Sequence, residues 1–185
     1  MIGVLALQGG FAAHARMLRS LGAEVREVRV PTDLAGLDGL VIPGGESTTM
    51  TLGIEREDLA EPLRTLAAAG TPILGTCAGL IMLDREHLQI MDIQARRNAF
   101  GRQVRSFEAD LELDELDGPP LRAVFVRAPW IAAHGASVEI LATLDGHAVA
   151  ARQDALLAVA FHPELGSDPR LHKRFLAACE AHIET

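Results

Sequence analysis

The first 76 residues alternate short strand-like runs with helical stretches, and this alternation restricts the fold more than any other feature. The runs IGVLAL (2–7), EVREVRV (24–30), GLVIPGG (39–45) and PILGT (72–76) are interleaved with helical patterns from about Phe11 to Leu21 and from about Glu57 to Ala69. Strands separated by helices imply βαβ units and a parallel sheet. From Phe107 the pattern changes to closely spaced strands: FEADLEL (107–113), LRAVFVRAP (121–129), VEILATL (138–144), AVAARQ (148–153) and ALLAVAFHPE (155–164). Turn signals at Asp117-Gly118 and Asp145-Gly146 predict antiparallel hairpins added to the parallel part. The fold class is therefore α/β with a mixed central sheet.

Between the two halves, a short helical run after Cys77 ends near Leu83, and the polar, Arg-rich stretch through Gln103 has the character of a loop. The chain closes with a helix announced by Asp168 as N-cap and Pro169 at the first helical position. Leu171, Phe175, Leu176 and Cys179 then share one helical face. With 185 residues, the chain suits one domain, residues 1–185; a domain of that size buries about 70% of its unfolded surface.

A formal net charge of −8 opposes association with nucleic acid or anionic lipid, which rests on clustered Lys and Arg. No apolar run approaches the ~20 residues that span a bilayer. The opening MIGVLALQGG lacks a basic n-region and a small-residue cleavage site, so it is expected to be a buried strand rather than a signal peptide. Two cysteines without secretory signals point to reduced thiols in the cytoplasm. Cys179, in an apolar helical stripe, is expected to be a small core residue. No histidine spacing resembles a metal site; apart from His14 and His162, the histidines are expected at the surface.

Cys77 is the chemically suggestive thiol. Gly75-Thr76-Cys77-Ala78-Gly79 lies where a buried strand meets a helix, the setting of a nucleophile elbow. Small neighbours let the backbone turn sharply and admit substrate to the sulfur, and the helix aims its N–H groups there, favouring the reactive thiolate. Taken alone, G-x-C-x-G suits a buried structural cysteine equally well. His162-Pro163-Glu164 ends the strand ALLAVAF. Residues i and i+2 of an extended segment face one side, so Glu164 can fix the tautomer of His162 while the other ring nitrogen faces a nucleophile. Taken alone, an ordinary strand end reads the same way. Together the two segments are stronger, because α/β enzymes gather their chemistry at the carboxyl ends of strands. PGGESTT (43–49) follows another apolar strand. Its paired glycines suit backbone N–H groups presented to an oxyanion, and it lacks the lysine of a phosphate-binding loop. A plain glycine turn with a helix cap at Ser47 or Thr48 also fits it.

GTCAG with a downstream HPE resembles the triad of class I glutamine amidotransferases. PGGEST, RNAFGRQ (97–103), SFEADL and VRAP (126–129) resemble specifically the family of glutaminase subunits of pyridoxal 5′-phosphate synthase, from Gly3 to about Phe175. The resemblance implies a flavodoxin-like three-layer class I glutamine amidotransferase fold and an enzyme that hydrolyses L-glutamine to glutamate and ammonia without a cofactor or metal. It implies Cys77 as nucleophile, His162 as general base and acid, and Glu164 as its orienter. It assigns Gly45, Glu46, Ser47, Arg97, Val126 and Arg127 to glutamine binding, and the Gly45 and Ala78 amides to the oxyanion hole, with Gln8 nearby. The partner it implies is a (β/α)8-barrel synthase subunit that combines the ammonia with ribose 5-phosphate and glyceraldehyde 3-phosphate. Two positions depart from the family pattern: Ala13 stands where a Glu is common, and the connection from Met82 to Arg97 is short. These bear on partner docking and on loop closure over glutamine. A related Cys-His hydrolase such as a γ-glutamyl hydrolase would share the triad without needing a partner, and a non-catalytic module would not need the three side chains.

Overall fold

The computed structural model describes residues 1–100 and 106–184. The first half runs β1 (Ile2–Leu5), α1 (Phe11–Ser20), β2 (Val25–Val28), β3 (Gly39–Ile42), α2 (Ser47–Arg56), α3 (Ala60–Ala68), β4 (Ile73–Thr76) and α4 (Ala78–Leu83). Then follow β5 (Ile93–Arg96), β6 (Ser106–Leu111), β7 (Leu121–Val126), β8 (Trp130–His134), β9 (Glu139–Leu144), β10 (His147–Gln153), β11 (Leu156–Val159) and α5 (Arg170–Ile183). Among the described residues the main sheet has the order β2-β1-β3-β4-β11-β10-β8-β5, with β9 paired to β10. Its first five strands are parallel, and β10, β8 and β5 continue it antiparallel. The expected α/β class with a mixed sheet is the one observed.

Burial explains the composition of the central strands. β1, β3, β4 and β11 are buried at every position, as parallel strands covered on both faces must be, so they read as unbroken apolar runs. Helix α1 buries His14, Ala15 and Leu18, and α5 buries Leu171, His172, Phe175 and Cys179. Cys179 is a core residue as expected, its thiol pushed up to about 12, chiefly by burial and then by the charge of Asp38. Gly79 lets α4 lie against β3: a Cβ there would stand 1.9 Å from Ile42 O.

Parallel pairing brings the distant motifs together. Strand β11 runs beside β4 with Val159 opposite Thr76, and Cys77 N donates to Val159 O at 2.8 Å. Cys77, directly after β4, and His162, shortly after β11, therefore emerge at the same sheet edge. Gln8 after β1 and Gly44-Gly45 after β3 leave at that edge as well, where open α/β sheets bind their ligands.

Several local expectations are corrected. The segment read as loop through Gln103 contains β5, and its residues 101–103 lie outside the described residues. Strand β8 was not foreseen, because WIAAH is short and lacks alternation. Among the described residues, strands β6 and β7 pair only with each other in a second sheet instead of extending the first. The turn and cap expected at Ser47 or Thr48 open the ten-residue helix α2, and the cap is Glu46. Helix α5 begins at Arg170, with the Asp168 side chain accepting from Arg170 N at 3.0 Å. His172, expected at the surface, is wholly buried, since a polar ring can be buried where another polar group meets it. The hairpin at Asp145-Gly146 is confirmed, with φ of 50° and 79°, the left-handed pair that a two-residue turn requires. No helix among the described residues is long and apolar enough to cross a membrane.

Candidate active site

Strand β4 ends at Thr76 and helix α4 starts at Ala78, leaving one residue to reverse the chain. Cys77 does so at φ 50°, ψ −107°, a conformation that is uncommon for any residue with a side chain. Such strain persists only where the surroundings impose it, here the bond to Val159 and the tight seat of α4 on β3. The turn leaves the Cys77 side chain almost buried, 6% exposed, with Sγ 3.8 Å from Val126 O.

His162 and Glu164 follow β11. His162 N donates to Val124 O at 2.8 Å, tying His162 to β7, and Pro163–Leu165 form a 3-10 turn. His162 Nδ1 lies 2.7 Å from Glu164 Oε1, so an ionised Glu164 accepts the Nδ1 proton and Nε2 is the nitrogen left for chemistry. A Cβ built on Gly44 would stand 2.5 Å from His162 Cε1 and 3.2 Å from Cys77 Cβ; the imidazole and the cysteine thus converge on one glycine. Burial of the ring opposes its charge, but hydrogen bonding to Cys77 and Glu164 prevails and raises His162 to about 10. Burial likewise opposes ionisation of Glu164, and polar contact with His14 and His162 prevails, holding its carboxyl well below the usual range.

These side chains open into a cleft of about 260 Å³. Of the residues assigned to substrate, Gly45, Glu46, Ser47, Arg97, Val126 and Arg127 all line it, together with Cys77, Ala78 and His162. Their local roles differ. The Glu46 carboxylate accepts from Thr48 N at 3.0 Å and from Thr49 N and Oγ1, both at 2.7 Å. It is spent on capping α2, and those bonds, led by the Thr49 hydroxyl, bring it down to about 2. Arg97 Nη1 donates to Ser47 Oγ and Thr48 Oγ1, both at 3.2 Å, placing a cation at the mouth of the cleft. Arg127, at φ 42°, turns the chain sharply after β7. Gln8 does not line the cleft; its Nε2 donates to Glu46 O at 3.0 Å, and a Cβ on Gly45 would stand 2.2 Å from it, so Gln8 braces the Gly45–Glu46 backbone from behind. Neither the Gly45 nor the Ala78 amide has a backbone acceptor among the described residues.

A strained cysteine beside a hydrogen-bonded imidazole, with free backbone amides and a guanidinium around a small cleft, is equipped for acyl transfer from a polar substrate. The chain matches the model of the SNO glutamine amidotransferase family over residues 4–181. It belongs to that family. Among relatives of this family, the pyridoxal 5′-phosphate synthase subunit PdxT of Frankia alni is 50% identical over 184 residues, covering 95% of this chain and 92% of that protein. The corresponding subunit of Dehalococcoides mccartyi is 53% identical over 185 residues, covering 95% of each. A solved crystal structure of a glutamine amidotransferase superposes with a TM-score of 0.91 at 42% identity, covering 97% of this chain and 98% of that one. PurLQS from Thermotoga maritima, at 15% identity and a TM-score of 0.74 over 98% of this chain and 97% of that one, shares the fold alone.

Sequence reasoning missed part of this family member's site. Ile81, Asn98 and Pro129 also line the cleft; Asn98 and Pro129 lie within the motifs RNAFGRQ and VRAP, from which only Arg97, Val126 and Arg127 are assigned to substrate. His14 and His172 stand behind Glu164; His14 is set apart from the surface histidines without a role, and no local pattern marks His172. No cluster of three or more His, Cys, Asp or Glu among the described residues is placed to hold a metal.

Proposed function

We propose that this chain hydrolyses L-glutamine to glutamate and ammonia through a thioester on Cys77 and passes the ammonia to a (β/α)8-barrel synthase subunit making pyridoxal 5′-phosphate. The observation carrying the reading is the convergence of Cys77 and the His162–Glu164 pair in a cleft bordered by Arg97. The synthase role is supported by relatives about 50% identical that are named as subunits of that synthase. The reading takes the chain as one glutaminase domain acting in the cytoplasm.

The Cys77 thiolate attacks the side-chain amide carbon of glutamine. Negative charge moves to the amide oxygen, where the Gly45 and Ala78 N–H groups receive it; one such donor contributes about 3–4 kcal/mol to barrier lowering. The C–N bond breaks as the His162 imidazolium gives its Nε2 proton to the departing nitrogen, releasing ammonia and leaving the γ-glutamyl thioester. Neutral His162 then takes a proton from water, hydroxide adds to the thioester carbon, and the C–S bond breaks to give the γ-carboxylic acid and the starting ion pair; the acid loses its proton to solvent as glutamate. Glu164 holds the ring so that Nε2 faces the reacting atoms throughout. Arg97 suits the substrate's α-carboxylate, which a guanidinium binds in a planar fork. Ammonia released to water at neutral pH is largely protonated and no longer nucleophilic, which favours direct transfer to a bound partner.

The test is glutamine turnover by the full chain with and without the synthase subunit, alongside the Cys77→Ala variant. The reading expects ammonia release that rises when the synthase is added and that Cys77→Ala abolishes. Undiminished turnover by Cys77→Ala removes the mechanism, and indifference to the synthase removes the subunit role.

A further inference from the structure

Glu164 is held between two imidazoles, only one of which belongs to the triad. On the side away from His162, His14 of α1 places Nε2 3.2 Å from Glu164 Oε2 and 3.1 Å from Thr76 Oγ1. Only the second contact has hydrogen-bond alignment; Glu164 Oε2 is buried with no hydrogen-bond donor among the described residues, and His14 Nε2 meets it as a close polar contact. His14 Nδ1 in turn lies 2.9 Å from Nε2 of His172 on α5. Both His14 and His172 are completely buried.

Hydrogen-bond arithmetic fixes the protons along this chain. An ionised carboxylate only accepts, so the His14 nitrogen facing Glu164 is best protonated; a lone pair there would oppose the carboxylate charge. His14 then carries Nε2–H, its Nδ1 is an acceptor, and His172 must donate from Nε2. His172 Nδ1, which has no partner, is left as a bare lone pair, cheaper to bury than an unpaired N–H. The opposite arrangement would bury an orphan N–H at His172 and turn two lone-pair-bearing atoms toward each other at His14 and Glu164. Burial brings His172 down to about 3, in keeping with the neutral ring this chain requires.

We propose that His14 is a positioning residue for the reaction: oriented by His172, it fixes the rotation of the Glu164 carboxylate and keeps Glu164 ionised, and thereby aims His162 at Cys77. The inference rests on the glutaminase reading. It assigns work to elements at both ends of the sequence, α1 and α5, that supply nothing to the cleft itself. The titratable groups facing Glu164 are His162 from its own turn and His14 from α1, with His172 behind His14 and Cys77 beyond His162.

Two substitutions separate positioning from packing. His14→Leu removes donor and acceptor; His14→Gln keeps one amide N–H for Glu164 and one carbonyl oxygen for His172. At metal sites, outer partners that orient the ligands typically count for about 10- to 100-fold in affinity or activity; on that scale, His14→Leu is expected to lower kcat for glutamine by about 10-fold or more with little change in KM. Without His14, Glu164 takes up its proton at higher pH, so the acid limb of the rate profile moves upward; His14→Gln moves it back toward the parent. The alkylation rate of Cys77 against pH, followed by peptide mass spectrometry, gives the same comparison without glutamine turnover, so it distinguishes failure of this inference from failure of the glutaminase reading. A His14→Leu profile that overlays the parent overturns the proposal. So does equal loss in both variants with an unmoved acid limb, the behaviour of a residue that only fills space. If His14→Leu does not fold, His14→Gln compared with His172→Leu carries the test: the proposal expects the acid limb to shift in His172→Leu and not in His14→Gln, and the same profile in both overturns it.

Discussion

Gly44 is a glycine at which an added methyl group would meet both His162 and Cys77. In Gly44→Ala, the new carbon would stand 2.5 Å from His162 Cε1, 3.0 Å from Nδ1 and 3.2 Å from Cys77 Cβ. Carbon atoms in contact settle at about 3.5–4.0 Å, so the ring must withdraw by about 1 Å. It cannot do so freely, because Nδ1 is tied to Glu164 at 2.7 Å and its backbone to Val124. Displacement of about 1 Å at reacting groups costs on the order of 100-fold in rate, and forcing a methyl into a packed site costs about 1–3 kcal/mol. For a chain of this size that corresponds to a fall in Tm of roughly 2–12 °C. The assay is kcat for glutamine hydrolysis well below the melting transition, with Tm measured on the same samples. Gly166→Ala is the control: two residues beyond Glu164, its Cβ would meet nothing nearer than 3.7 Å, and it should leave kcat unaltered. If Gly44→Ala keeps kcat within about threefold of the parent, His162 is not confined as the structure requires and the reasoning fails.

The His162 imidazole has a folded pKa of about 10 against about 6.5 when unfolded, so its contribution to stability is complete below about pH 6.5 and is lost as pH rises toward 10. Tm measured against pH should fall across that window, and Glu164→Gln should weaken the fall, since Glu164 is one of the groups that raise His162; an unchanged curve refutes the coupling. Phe100 meets Phe107, Phe125 and Trp130 edge-on or tilted, with centroids 5.2–5.8 Å apart. It anchors the segment that carries Arg97 and Asn98, so Phe100→Ala should cost roughly 1–2 kcal/mol for a half-buried ring and raise KM for glutamine more than it lowers kcat, as steady-state kinetics would report.

Much of this protein is legible from its sequence because the signals are local. The βαβ alternation, the small residues around Cys77, the i, i+2 spacing of His162 and Glu164, and the Asp145-Gly146 turn each depend on a few adjacent residues and on backbone sterics. Where the determinants were not local, the sequence was silent or misleading. Strands β5 and β8 exist because they complete each other at the sheet edge, and neither has a strong pattern alone. Glu46, a residue type seldom chosen as a cap, closes α2 because the glycine turn before it aims its carboxylate at Thr48 and Thr49.

The amino acids by themselves determined which chemistry was possible: one thiol on a tight turn, one imidazole with a carboxylate two residues on, and paired glycines after a strand. Tertiary structure alone decided that these meet, since the parallel pairing of β4 with β11 sets Cys77 beside His162 across a long stretch of intervening chain. It also decided what stands behind them. His14 and His172 lie 158 positions apart, and only the packing of α1 and α5 near Glu164 turns two unremarkable histidines into partners, because burial leaves polar side chains with no other group to satisfy them.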